Sequence, residues 1–489
     1  MNTPITATPP QPVAAPVRPR RRWLRVVLLF LALAILGPAI TIAVMMQSAR
    51  NAWGAAEAEA DQLDPRWRLA EIVTDQPVVP DAENAALYIM AVRAKGGGVS
   101  PSAAPRYDKI FEKLPPNTQL NGQQLQLIRG ELAKIGKPLA EARLLKDLPT
   151  GRFGVTYTDD FIGTLLPNHQ NARLMADWLD HDAMVLAQEQ RYDEALESCQ
   201  ALLNASRVFK DDTFLISLLI RIAMQNIAVT TIERVVAQGE PSDEALRVTQ
   251  AMLEREAKDS GWLQAIRGER AGMHHLFTNV RTGKVKLPAA SMMMGGPSGL
   301  RRSSTIRDWL LDAFPSTMLH YYPEHLRTMT GLVEISKLPI HERVAEIKKW
   351  DEARKTSTNP VTQLLAPALS KCHQAERRSQ AALRTAMVAL ACERYRQQHE
   401  RWPETLEALV QAKLLGALPV DPCDGQPLRY RRTKDGVVIY SVGLDGIDNQ
   451  GLIDRDNPNN PGVDLGFRLW DPALRRQPPL PPVALPEGQ

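Results

Sequence analysis

The run from residue 26 to 46 constrains this chain more than any other feature. It is apolar throughout apart from Thr41. As a helix rising about 1.5 Å per residue, it spans the ~30 Å hydrocarbon layer of a bilayer. Arg18, Arg20, Arg21, Arg22 and Arg25 crowd its N-terminal side. Cationic residues stay on the cytoplasmic face, so the remainder of the chain is expected on the opposite one. Gly37-Pro38 introduces a kink that lipid-embedded helices tolerate.

Two other readings remain open. A cleaved export signal has an apolar region of about 7–15 residues, shorter than this run. The arginine run at residues 20–25 also has the form of a twin-arginine signal. A buried helix of a globular protein is the third reading, and it alone leaves the body in the cytoplasm. The expected organisation is a basic, disordered, proline-rich tail at residues 1–23, a transmembrane helix at 24–46 and a helical stalk at 47–63. Ala and Glu dominate the stalk, and Asp64-Pro65 ends it. This predicts a single-pass protein of a bacterial inner membrane, with a cytoplasmic N-terminus and a periplasmic body. The lipid bilayer is its first partner, through residues 26–46.

The chain of 489 residues exceeds one ordinary core. Lys and Arg number 59 against 55 Asp and Glu, a balance without a nucleic-acid footprint. Cys199, Cys372, Cys392 and Cys423 are too scattered for a disulfide framework or a zinc site.

Residues 64–370 read as an α-helical extracytoplasmic domain. Helical spacing recurs at 83–94 and 121–135, with a glycine-rich loop at 96–105 between them. Further helices are expected at 262–280, 305–338, 341–355 and 372–400. The clearest pattern is a repeat within 168–258. Residues 193–203 read DEALESCQALL and residues 243–253 read DEALRVTQAML, seven of eleven positions being identical. Each copy follows an amphipathic stretch, at 172–188 and 214–237. Ala183, Tyr192 and Ala195 give the first hairpin a resemblance to tetratricopeptide repeats, which implies a curved surface that grips a protein partner. The same pattern also arises from two well-capped amphipathic helices with no common origin.

No catalytic constellation emerges. His274 and His275 are helix neighbours about 100° apart, and no His-Glu-x-x-His is present. His169 and His181 share one helix. The Gly296-Pro297-Ser298-Gly299 run lacks the nucleophile-elbow spacing, and no phosphate-binding glycine loop occurs. Met292, Met293 and Met294 cannot all face one metal. Cys423 reads as a thiol in an exposed turn. Beside Asp421 and Asp424, it is expected to have a raised pKa.

The C-terminal module is more specific. Tyr395 ends a long helix and Trp402-Pro403 follows. A short helix is expected over 404–415. Then come Asp421-Pro422, Asp424-Gly425, strands at 427–432 and 437–441 with a turn at Lys434-Asp435-Gly436, and a Ser441-x-Gly443-x-Asp445-Gly446 loop. These residues resemble the C-terminal domain of the major pseudopilin of type II secretion. The resemblance covers about residues 385–470 and implies a small α+β module at 371–470. Tyr430 and Tyr440 are expected to pair across the hairpin or cover the long helix. Residues 471–489 are expected to be a disordered proline-rich tail. The span at 26–46 lacks the glutamate that such pilins carry, so pilus assembly by the usual route is not expected.

The resemblance also implies structural calcium. Its ligands would be the Val442 carbonyl, Asp445 and a downstream carboxylate, Asp454 or Asp456. Hard oxygen donors in a flexible loop suit that ion; a polar Asx-turn loop without metal is the other reading. The expected fold class is therefore mainly α, with a transmembrane helix, a body of α-helical hairpins and a small pseudopilin-like α+β module. The expected role is non-catalytic binding or scaffolding. A component or client of a type II secretion-like assembly is one alternative, and a membrane-anchored hydrolase is another.

Overall fold

A computed structural model describes residues 22–285, 315–357, 359–455, 457–458 and 460–483. The chain forms two compact units, Met1–Ala55 and Ala56–Gln489. Most of the first is one long helix, α1 (Arg22–Leu63), whose last turns belong to the second unit. Its Leu28, Leu29, Phe30, Leu31, Leu36, Ile40 and Val44 are each more than half exposed. Thr41, the one polar residue of the run, donates its hydroxyl to the Gly37 carbonyl at 2.9 Å.

The second unit is mainly helical with one three-stranded antiparallel sheet. Asp64 ends α1 as expected. Its carboxylate is held by Arg267 at 2.9 Å and by Arg270. Helix α2 (Ala85–Gly96) starts at Asn84, whose side chain accepts from the Ala86 amide at 3.0 Å. Helix α3 (Gly122–Ala133) starts with a capping box, in which the Asn121 and Gln124 side chains each accept the other's amide. Such caps contribute about 0.5–2 kcal/mol each. Helix α4 (Gly136–Arg143) follows.

The repeat folds as two consecutive hairpins, α5 (His169–Gln188) with α6 (Tyr192–Ser206), then α7 (Leu215–Gln238) with α8 (Asp243–Lys258). Equivalent helices touch through polar positions of the repeated motif, with Gln200 donating to Thr249 at 3.0 Å. Gly239 lets the hairpins approach closely, because a Cβ there would lie 2.1 Å from the Tyr192 ring and push it aside. Helix α7 is long and apolar enough to cross a membrane, yet most of it is buried within the body. It is a core helix.

Helices α9 (Trp262–Arg281), α10 (Pro315–Ser336) and α11 (Ile340–Lys355) build the other end of the unit. Helix α12 (Pro360–His399) starts earlier than the pattern predicts and packs on α7, α8 and α11. The domain boundary expected at 370/371 therefore falls inside a helix. It also falls inside a single core, in which Leu202, Ile232 and Leu253 of the hairpins join Leu390 of α12 with Ile439 and Leu469 of the sheet. The C-terminal module is not a separate domain.

The sheet order is β1 (Arg429–Thr433), β2 (Gly436–Ser441), β3 (Leu465–Trp470), with β2 central and buried along its whole length. Strand β3 was not expected. Its residues alternate too weakly to announce a strand, and β2 supplies the pairing that fixes it. Tyr430 pairs with Ile439 and Tyr440 with Arg429, so the two tyrosines are not cross-strand partners. Tyr430 donates to the Pro403 carbonyl at 2.7 Å, while Tyr440 donates to Asp448 at 3.1 Å.

The tail expected to be disordered is instead a strap over its described part. Arg476 and Gln477 donate backbone amides to the Ala237 and Asn117 carbonyls at 3.1 and 2.6 Å. Arg476 also reaches the Ala187 and Gln188 carbonyls at the end of α5, a favourable place for a cation. Asn121 and Gln123 hold the backbone at Leu480 and Val483. Proline content removes donors from this segment, and the body's side chains supply the bonds instead.

Candidate functional site

The turn at Asp421 organises the C-terminal corner. Asp421 is fully buried, and its two oxygens accept four hydrogen bonds. Oδ1 takes the Cys423 amide at 2.8 Å and the Ser441 hydroxyl at 2.7 Å. Oδ2 takes the Val442 amide at 3.0 Å and Arg429 at 2.9 Å. One carboxylate thus joins the turn, the hairpin and the start of the acidic loop. Sequence reading saw Asp421 only as part of a motif; the donor-rich neighbours that make it central lie on other elements.

Cys423 is buried, not exposed. Burial is the largest cause of its raised pKa, with Asp421 adding to it and Arg377 and Ser441 opposing. All four cysteines are free and buried.

The acidic loop is closed by carboxylates that accept backbone amides. Asp445 takes Ile447 at 3.1 Å and Gly462 at 2.9 Å, bridging the two ends of the loop. These bonds hold its pKa below the usual carboxylate value. Asp464, which is buried, takes Asn449 at 3.2 Å and Gly451 at 2.7 Å. Its pKa is raised, chiefly by burial. Asp454 caps the next turn by accepting the Asn457 amide at 2.9 Å. Val442 lies at the root of the loop, while Asp456 lies outside the described residues.

Among the described residues, no group of three or more His, Cys, Asp or Glu side chains is placed to hold a metal. The chemistry of the donors is nonetheless compatible with calcium. Each Asp445 oxygen has a second lone pair beyond the one engaged by an amide. The loop is fastened to the body by Arg455, which pairs with the buried Glu233 of α7 at 2.9 Å. Glu233 also accepts the Arg468 amide of β3 at 2.7 Å.

The histidines separate into different environments. His169 and His181 both lie on α5 and are buried. His181 faces the Tyr107 hydroxyl at 2.7 Å, and His169 faces Ser217 at 2.6 Å. Ser217 donates to Asp212 at 2.9 Å, so its only proton is directed away from His169. An imidazole acting as base would need that proton. Burial lowers the His169 pKa, with Asp212 opposing. His274 meets the Tyr322 hydroxyl at 2.7 Å, whereas His275 meets Asn279 at 3.0 Å. The methionine cluster and the glycine-rich run around Ser298 lie outside the described residues.

No protein-family model, curated protein or solved structure matches this chain.

Proposed function

We propose that the protein is a single-pass, N-terminally anchored protein of a bacterial cell envelope, with a non-catalytic binding or scaffolding body outside the cytoplasm. The observation that carries this reading is the row of exposed apolar side chains on the first part of α1, among them Leu28, Phe30, Leu36, Ile40 and Val44. Exposed apolar surface of this extent needs a cover, and its length suits a bilayer. The arginines that precede it set the orientation by the positive-inside rule. A body of stacked helical hairpins supports the binding role.

Protease added to intact spheroplasts tests this reading. Digestion of the body, with an N-terminal tag protected until lysis, is the expected outcome. A fully protected body would reverse the topology.

A second reading is favoured by the 395–446 pattern and its antiparallel hairpin. It makes the protein a component or client of a type II secretion-like assembly. Crosslinking in cells before solubilisation separates the two: a secretion ATPase or pilin-like proteins would be captured only under the second.

A further inference from the structure

Among the described residues, Arg377, Arg378 and Arg384 of helix α12 have no carboxylate partner. Arg377 and Arg384 lie about two turns apart and so share a face. Both donate to carbonyls of the Asp421 turn, Arg384 to Val420 at 2.5 Å and Arg377 to Cys423 at 3.3 Å. The nearby carboxylates are already engaged. Glu376 holds Arg343 at 3.1 Å, and Asp421 holds Arg429 at 2.9 Å. Burial pulls the Arg384 pKa down, and Asp421 and Glu376 pull it partly back. Arg384 is therefore a half-buried cation whose charge no ion pair balances.

A groove of about 440 Å³ opens beside it. That volume is in the range of ligand pockets. Ile340, Met387, Leu415, Leu418 and Pro419 make it apolar. Lys258 and Glu254, paired at 2.9 Å and largely exposed, also line it and carry a donor and an acceptor. Other buried guanidinium groups of the unit meet a carboxylate, as Arg475 meets Glu393 at 2.7 Å, or only carbonyls, as Arg234 meets Thr118 at 2.8 Å. What sets Arg384 apart is that it also lines a groove with room for an anion.

We propose that this groove binds the free carboxyl terminus of an apolar peptide. The terminal carboxylate sits on Arg384, and the last side chain packs on Met387 and Leu415. Lys258 and Glu254 offer their donor and acceptor to the peptide's backbone amides. A dianionic ligand fits poorly, because only one unpaired guanidinium lines the groove and Glu254 stands at its edge. The proposal deepens the binding role proposed above and is independent of the membrane topology. Protease accessibility and peptide binding can therefore fail separately.

The test uses the full chain in lipid nanodiscs and a fluorescent tetrapeptide ending in Leu-Leu. Anisotropy compares the free acid with its C-terminal amide. The acid is expected to bind about tenfold tighter, the worth of a charged hydrogen-bonded contact. Arg384→Gln should erase that preference, and Arg384→Lys should keep most of it. Ala417→Trp, on the exposed rim, should block both peptides without touching the core. Equal binding of acid and amide, a preference that survives in Arg384→Gln, or no binding of the acid at millimolar concentration would each overturn the proposal.

Discussion

The two ends of the body differ in the balance of ion pairs and neutral histidines among their buried polar groups. Where the hairpins meet α12 and the sheet, buried charges come in pairs. Glu393 is held by Arg475 and Arg396 at 2.7 Å each, Glu256 by Arg221 at 2.7 Å, and Asp182 by Arg143 at 2.6 Å. Toward α9, α10 and the start of α12, pairs such as Asp64 with Arg267 at 2.9 Å and Glu376 with Arg343 at 3.1 Å are accompanied by three buried histidines that are kept neutral. Burial is the largest cause in each case, taking His274 to about 3, His325 to about 4 and His373 to about 3. Paired charges are rigid and specific. Neutral imidazoles are sensitive to proton concentration. The comparison predicts a body whose one end is tied geometrically and whose other end loosens in acid.

The largest effect is expected from breaking a pair. Burial pushes the Glu393 pKa up, and Arg475 and Arg396 more than offset it, leaving the group below its ordinary value. Its contribution is therefore present above about pH 4.5 and is lost only as pH falls below that. Glu393→Leu leaves the buried Arg475 without its carboxylate, at a cost of about 3–5 kcal/mol. Urea unfolding should show this loss, and amide exchange should show the strap at residues 472–483 opening first. Adding Arg475→Met should restore more than half of the stability. If the single variant is as stable as the parent, the paired end is not tied through this carboxylate.

The middle effect belongs to the histidine end. Among the described residues neither ring nitrogen of His325 has a partner. Below the ordinary pKa of about 6.5 the unfolded chain binds a proton that the folded one refuses, so stability falls as pH falls, down to about 4. Glu269, raised to about 7 by burial, works in the opposite sense and loses its contribution as pH rises from about 4.5 through 7. A variant isolates one group from the other. The stability of His325→Phe relative to the parent should improve by about 1.4 kcal/mol per pH unit between pH 6.5 and 4. A difference that stays flat with pH would show that His325 takes up a proton in the folded protein and would break the comparison.

Much of this contrast was hidden in the sequence. The helices of the repeat, the stop at Asp64 and the hairpin turn at Gly436 were legible, because each depends on neighbours in the chain. The pairing of Glu393 with Arg475, of Glu233 with Arg455 and of Arg476 with the end of α5 was not. These contacts join residues far apart in the chain, and surface ion pairs use the same residue types. The strap was misread for the same reason: proline-rich composition states what the segment cannot bond to itself, not what the body offers it. Asp445, expected as a calcium ligand, bridges the ends of its loop through backbone amides, while the central role of Asp421 depends on donors from β2 and its end that only the fold brings close.

The smallest effect is expected at the acidic loop, which follows neither pattern. Its carboxylates are balanced by backbone amides, with Arg455 as a tether to α7. We propose calcium here on the Val442 carbonyl, Asp445 and Asp454 or Asp456. An amide takes one lone pair of an oxygen and leaves another for a cation. Extracytoplasmic calcium modules bind at about 10⁻⁴–10⁻³ M. With a dissociation constant of about 1 mM, 1 mM calcium adds only about 0.4 kcal/mol. The melting temperature should rise by about 0.5 °C between chelator and 1 mM calcium, and further at 10 mM. Asp445→Asn should abolish that rise and, in chelator, also lower stability slightly through the weakened bond to Gly462. A small loss in chelator with no calcium response in either protein would leave the amides as the loop's whole means of holding its charge. The acidic corner would then be a third kind of neutralisation, one that needs neither a paired cation nor a lost proton.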